Sequence, residues 1–237
     1  MVVDMLDDFL TGALAKLHGA PASRLFQVGE GCSVGNALMV VDMLDDFFTG
    51  ALATPQGARI RCSSPARRKV LCMKALVIVD MLDDFVTGAL ANAHAERIVE
   101  PLADLLQHAR EDPGWVVVFS NDAHHPSDPE LRVWGEHALA GTPGARVIGE
   151  LEPRPGPGEI VSPKRAYGAF DGTGLHEQLQ ALGVDEVVIG GQHTHICVRH
   201  SAYGALIRGY RVTVPRDGVC CCHGVEAEAA LEYLVMP

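Results

Sequence analysis

Three apolar runs restrict the fold of this chain more than any other feature: Ala75-Leu76-Val77-Ile78-Val79, Trp115-Val116-Val117-Val118-Phe119 and Val187-Val188-Ile189. None of them alternates with polar residues. A strand that is apolar at every position must be covered on both faces, which is the situation of a parallel sheet in an α/β protein. The covers are legible between the runs. His94–Arg110 carries Ile98, Leu102, Leu105 and Leu106 at helical spacing, and helical patterns recur near Gly174–Leu182, over Ile196–Ile207 and near Val225–Leu234. Shorter extended pieces fall at Glu159–Ser162 and Tyr210–Pro215. The expected fold is α/β, an open and mostly parallel sheet with helices on both faces. Sites in such sheets lie at the carboxyl ends of strands.

This alternation begins only at Met73. Before it, two stretches, Val2–Ala15 and Val40–Ala53, nearly repeat a third, Ile78–Ala91, so that Asp4, Asp42 and Asp80 stand 38 residues apart. Such a period can signal a solenoid, but the intervening segments share little and carry no helical stripe, and a strand without its crossover helix builds no repeating core. The third copy alone runs on into a strong helix. Residues 1–72 therefore read as a repeated, loosely structured appendage, and residues 73–237 as the folded domain.

With 48% hydrophobic and 21% charged residues the chain can bury one sizeable core. A net charge of −11 argues against nucleic-acid binding, which needs a basic face. No apolar run is long enough to span a bilayer. The seven cysteines, three of them adjacent at Cys220, Cys221 and Cys222, suit free thiols in a reducing cytoplasm better than a disulfide framework. Adjacent cysteines in an extended segment point to opposite faces, which argues against a metal site there. No glycine-rich phosphate loop appears, so no nucleotide cofactor is expected.

Cys197 sits where the run ending at Ile189 turns, through Gly190-Gly191-Gln192-His193-Thr194-His195, into a helical pattern. A thiol at a helix amino terminus is more readily ionised, and nearby backbone N–H groups can hold an oxyanion. Asp80 and Asp122 also fall at strand ends. Asp80 can take a proton from the thiol and return it to a leaving amine; a carboxylate there can equally cap the following turn. Lys164, after Glu159–Pro163, would favour the ionised forms if it enters the site, although such a lysine is ordinarily a surface charge. The loop after Ser120 holds Asp122, His124, His125, Glu130, Trp134 and His137. Asp-x-His with a later His offers oxygen and nitrogen ligands suited to Zn, Mn or Fe. Trp134 suits a core or a pocket wall equally well.

Together these residues resemble the isochorismatase-like cysteine hydrolases, and within them the nicotinamidase branch. The likeness rests on Ile78-Val79-Asp80-Met81-Leu82-Asp83-Asp84-Phe85, on Lys164-Arg165-Ala166-Tyr167-Gly168-Ala169-Phe170, and on Gly191 through Val198. It implies a three-layer α/β/α fold and a catalytic triad of Asp80, Lys164 and Cys197. It also implies a cis peptide between Gln192 and His193, with the N–H groups of His193 and Cys197 as oxyanion hole. Asp122, His124 and His137 would be metal ligands, with Glu130 as a fourth. Phe85, Trp134 and Tyr167 would line the ring pocket. The chain departs from the family at Gly135, Ala138, Gly168 and Gln192, where Pro, Cys, Ser and an aliphatic residue are usual. Family chains also continue past the helix near Val225–Leu234 into an edge strand that this sequence lacks, which predicts weaker stability at that edge.

The reading that follows is a metal-containing cysteine amidohydrolase, homo-oligomeric and cytoplasmic, that converts nicotinamide to nicotinate and ammonia through a thioester. Three alternatives stand beside it: another small amide, carbamoyl or ureido substrate; hydrolysis by a metal-bound hydroxide without Cys197; and an inactive small-molecule-binding protein.

Overall fold

The chain folds around a parallel sheet whose strands are buried as the apolar runs require. The computed structural model describes residues 38–41, 73–154, 156–222, 224–225 and 227–235. Among them are strands β1 (Leu38–Val41), β2 (Met73–Val79), β3 (Trp115–Asp122), β4 (Glu159–Lys164), β5 (Val184–Gln192), β6 (Arg211–Pro215) and β7 (Val219–Cys220). The helices are α1 (Asp83–Val86), α2 (Glu96–Glu111), α3 (Leu131–Trp134), α4 (Leu175–Ala181), α5 (Arg199–Leu206) and α6 (Ala227–Val235). The sheet runs β1-β6-β5-β2-β3-β4, with the two-residue β7 paired to the end of β5. All these pairings are parallel.

Strand periodicity divides the core in two. Leu76, Ile78, Val117 and Phe119 pack with Ile98, Leu102, Leu105 and Leu106 of α2 on one face. Ala75, Val77, Val79, Val116 and Val118 pack on the other with Leu175 and Leu179 of α4 and Ala202 and Ala205 of α5. Each fully buried leucine contributes about 1.5–3 kcal/mol. The result is the expected three-layer α/β/α arrangement. The direction in which successive strands are added reverses at β2: β3 and β4 lie to one side, β5 and β6 to the other. That is the topological switch point where a crevice opens.

The strands outrun their apolar runs at the carboxyl ends. β3 continues through Asn121 and Asp122 because β4 pairs with them, and β5 through Gly191 and Gln192 because β2 and β7 do. These polar residues and glycines resemble loop in the sequence. Gly191 has φ 116°, and a Cβ there would lie 2.0 Å from the Val79 carbonyl oxygen, so only glycine lets the ends of β5 and β2 approach this closely.

Leu38–Val41 overlaps the start of the second repeat, inside the segment expected to be an appendage. It nevertheless forms β1, in register with Val212–Pro215 of β6, so that β6 is an inner strand. The remainder of residues 1–72 lies outside the described residues. No helix among the described residues is long and apolar enough to cross a membrane.

Candidate active site

Four neighbouring strands, β5, β2, β3 and β4, deliver one functional group each to the crevice. Asp80 follows β2 with φ 54°, a left-handed conformation rare for a residue other than glycine, and is 1% exposed. Asp122 and Lys164 end β3 and β4 as register partners. β4 is an edge strand that alternates outward Val161 and Pro163 with buried Ser162 and Lys164. The period of two aims the lysine inward, and the edge position tolerates the proline. Cys197 lies in a π-helical turn, Thr194–Val198, that joins β5 to α5. The peptide between Gln192 and His193 is cis.

The side chains converge. Lys164 Nζ is 2.8 Å from Asp80 Oδ2, pairs still more closely with Asp122 Oδ1, and stands 3.8 Å from Cys197 Sγ. Asp80 Oδ1 accepts the Asp122 backbone N–H at 2.8 Å. One ligand atom from each of Asp80, Asp122 and Cys197 lies within 4.8 Å of the others. Burial and the Asp122 charge raise the Asp80 pKa from 3.8 to about 6, against the pull of Lys164. Burial works against the Lys164 charge, but the anions around it outweigh burial and hold its pKa well above normal. The Cys197 thiol corrects one expectation. Burial, with Asp80 and Asp122 adding to it, pushes its pKa well above 9.0, so the thiol is less readily ionised than its place before a helix suggests. The Asp80 carboxylate lies beside it, within reach of its proton.

A second cluster adjoins the first through Asp122. One ligand atom from each of Asp122, His124, Glu130 and His137 lies within 4.8 Å of the others. Both imidazoles are oriented by their Nδ1 atoms. His124 Nδ1 faces Asp128 Oδ2 at 3.3 Å, and His137 Nδ1 donates to the Gly135 carbonyl at 2.8 Å. That leaves each Nε2 as the lone-pair nitrogen, turned inward. His124 Nε2 is buried and makes no hydrogen bond, with Asp122 Oδ2 3.5 Å away. Burial and the Asp122 charge raise Glu130 to about 7. Two carboxylates and two oriented imidazoles, with an orphaned nitrogen among them, fit a divalent metal.

Phe85, Trp134 and Tyr167 all line a cavity of about 410 Å³ that also reaches Asp122, Glu130, His137, His193 and Cys197. Trp134 Nε1 donates to the Tyr167 hydroxyl at 3.1 Å. Lys164 sits behind this surface. The structure thus brings together all the residues proposed from sequence, and adds others. Asp128, four residues after His124, is buried, held by Arg165 and braces the His124 ring; that spacing was the available signal. Asp84 accepts the Ala138 N–H at 2.8 Å and so holds the loop carrying His137, while its other oxygen accepts the Ala89 N–H. Residues 89–94 and Cys222 complete the cavity wall. His125 is exposed, with its ring bonded to Ser127. The cysteines diverge: Cys220 meets Asn92, Cys221 lies near Thr194, and Cys222 faces the cavity.

Comparison with known proteins agrees with this fold. The model of the isochorismatase domain matches residues 74–236. Nicotinamidase 3 of Arabidopsis thaliana is 34% identical over 125 residues, covering 50% of this chain and 63% of that protein. A crystal structure of N-carbamoylsarcosine amidase from Thermoplasma acidophilum is 40% identical with a TM-score of 0.63, covering 68% of this chain and 91% of that one. A pyrazinamidase of Pyrococcus horikoshii in complex with zinc is 31% identical with a TM-score of 0.62, covering 68% and 93%. The chain spans 62–64% of the length of the first curated relatives it matches.

Proposed function

Because the chain belongs to the isochorismatase family, we propose that it is a cysteine amidohydrolase acting on a small carboxamide, with nicotinamide as the substrate to test first. One observation carries this reading: Asp80 and Lys164 are buried around the sulfur of Cys197, and a cavity opens on that sulfur.

The chemistry follows from the positions. The Asp80 carboxylate takes the thiol proton as Cys197 Sγ attacks the amide carbon. Lys164 keeps Asp80 ionised and faces the developing thiolate. The carbonyl oxygen gains negative charge, which the N–H groups of His193 and Cys197 hold. As the carbon–nitrogen bond breaks, Asp80 returns the proton and ammonia leaves. Water then attacks the thioester, giving one proton to Asp80, and the acid departs as Cys197 regains its hydrogen. Asp122, His124, Glu130 and His137 would hold a divalent ion of the zinc, manganese or iron kind, which when bound supplies a positive centre for a substrate lone pair such as a ring nitrogen. Phe85, Trp134 and Tyr167 are placed to flank the ring.

A carbamoyl or ureido amide is the second reading, favoured by the likeness to an N-carbamoylsarcosine amidase. Ammonia release from nicotinamide and from N-carbamoyl amino acids, by wild type, Cys197→Ala and His137→Ala, tests both. The proposal expects release from one of these amides by wild type and none by Cys197→Ala. Loss in His137→Ala with activity kept in Cys197→Ala would favour a metal-hydroxide route. No release from any amide by folded protein would leave a binding protein.

A further inference from the structure

A buried amide network ties together the parts of the site that come from distant segments. Gln192, the last residue of β5, is fully buried. Its Nε2 has two hydrogens and two acceptors, the backbone carbonyl oxygens of Asp80 at 3.2 Å and of Phe85 at 3.3 Å. Its Oε1 accepts from Asn92 Nδ2 at 3.1 Å. Asn92 is buried too. Its Nδ2 also reaches the Cys221 carbonyl at 3.2 Å, and its backbone N–H bonds to the Phe85 carbonyl at 3.1 Å. Asn92 Oδ1 accepts the His94 N–H at 3.1 Å, which shapes the 89–94 segment along the cavity wall.

An aliphatic side chain would fill this space without linking anything. The carboxamide instead touches the residue proposed as base, the first wall residue of the ring pocket and the anchor of a second wall. The same residue also shares its peptide bond with His193, a proposed oxyanion donor. Asp80 holds a sparsely populated backbone conformation, which persists only where its surroundings over-determine it. The bond from Gln192 to the Asp80 carbonyl is one such determinant.

We propose that Gln192 is a positioning residue, which through its carboxamide and Asn92 sets where Asp80 and Phe85 stand relative to Cys197. This rests on the proposed cysteine chemistry, so one readout is chosen that needs no substrate: the rate at which iodoacetamide alkylates Cys197 at fixed pH, measured by peptide mass spectrometry. Gln192→Leu keeps the volume and removes the links. We expect alkylation of Cys197 to slow by about tenfold and kcat, per alkylatable Cys197, to fall by about 10- to 100-fold with little change in KM. Asn92→Ala leaves both Gln192 donors in place and frees the cavity wall, so KM should rise more than kcat falls. Should Gln192→Leu fail to fold, Asn92→Ala still tests the network. Unchanged kcat, KM and alkylation rate in whichever variant folds would overturn the proposal. A wild type inactive on every amide, with Gln192→Leu still slowing alkylation, would sink the amidase reading and leave the positioning role standing.

Discussion

Asp122 and Lys164, register partners on adjacent parallel strands, form a buried ion pair that joins the nucleophile cluster to the candidate metal cluster. Asp122 faces Lys164 with Oδ1, while its Oδ2 lies 3.5 Å from His124 Nε2. Asp122→Asn should therefore damage both halves. We expect metal in the purified protein to drop well below that of wild type and kcat/KM to fall by about 100-fold or more, since the two groups act as a unit. Metal analysis beside ammonia release checks this. Metal content equal to wild type would separate the clusters.

In the proposed mechanism, the Asp80 pKa of about 6 sets the acid limb of activity. The base must be the carboxylate, and burial makes the proton harder to remove, so the limb moves up from the ordinary 3.8. Below pH 6, kcat/KM should fall about tenfold per pH unit, and above pH 7 this group should no longer limit the rate. A pH–rate profile with its lower limb near pH 4 would contradict the assignment.

Asp128 touches none of the reacting groups but accepts a hydrogen bond from His124 Nδ1 at 3.3 Å. Asp128→Asn should weaken metal affinity by about 10- to 100-fold, read by competition with a chelator. Alkylation of Cys197 should stay near wild type.

Much of this site was legible because strand ends are. Asp80, Asp122 and Cys197 each follow an apolar run, and the parallel topology brings such ends together. Lys164 needed the alternation of an edge strand to be aimed inward. Other residues were hidden for physical reasons. Gln192 and Asn92 bond across 100 residues of sequence, which no local period records. Asp128 lies among prolines in an irregular loop. The extent of β3 and β5 was underestimated because their last residues are polar or glycine and face the site rather than the core. The raised Cys197 pKa depends on how deeply the strand–helix junction is buried, a property of the packed molecule.

We propose that β1 makes part of the amino-terminal repeat a working edge of the sheet. Removing residues 1–36 keeps Leu38–Val41, whereas removing residues 1–72 exposes β6. The longer truncation should lower Tm, by about 2–4 °C for each kcal/mol lost, while the shorter one should not. Activity per folded molecule should survive both, because the site lies on β2 to β5. Equal thermal melts for the two truncations would show that β1 contributes nothing to stability.

The central claim is that the sulfur of Cys197 carries the acyl group. Rapid acid quench of the protein with nicotinamide, followed by peptide mass spectrometry, tests this most directly. The account predicts a transient mass increase equal to one nicotinoyl group on the peptide containing Cys197, absent from Cys197→Ser and accumulating when hydrolysis is slowed. Ammonia released at full rate with no acyl group on Cys197 at any time point would contradict it.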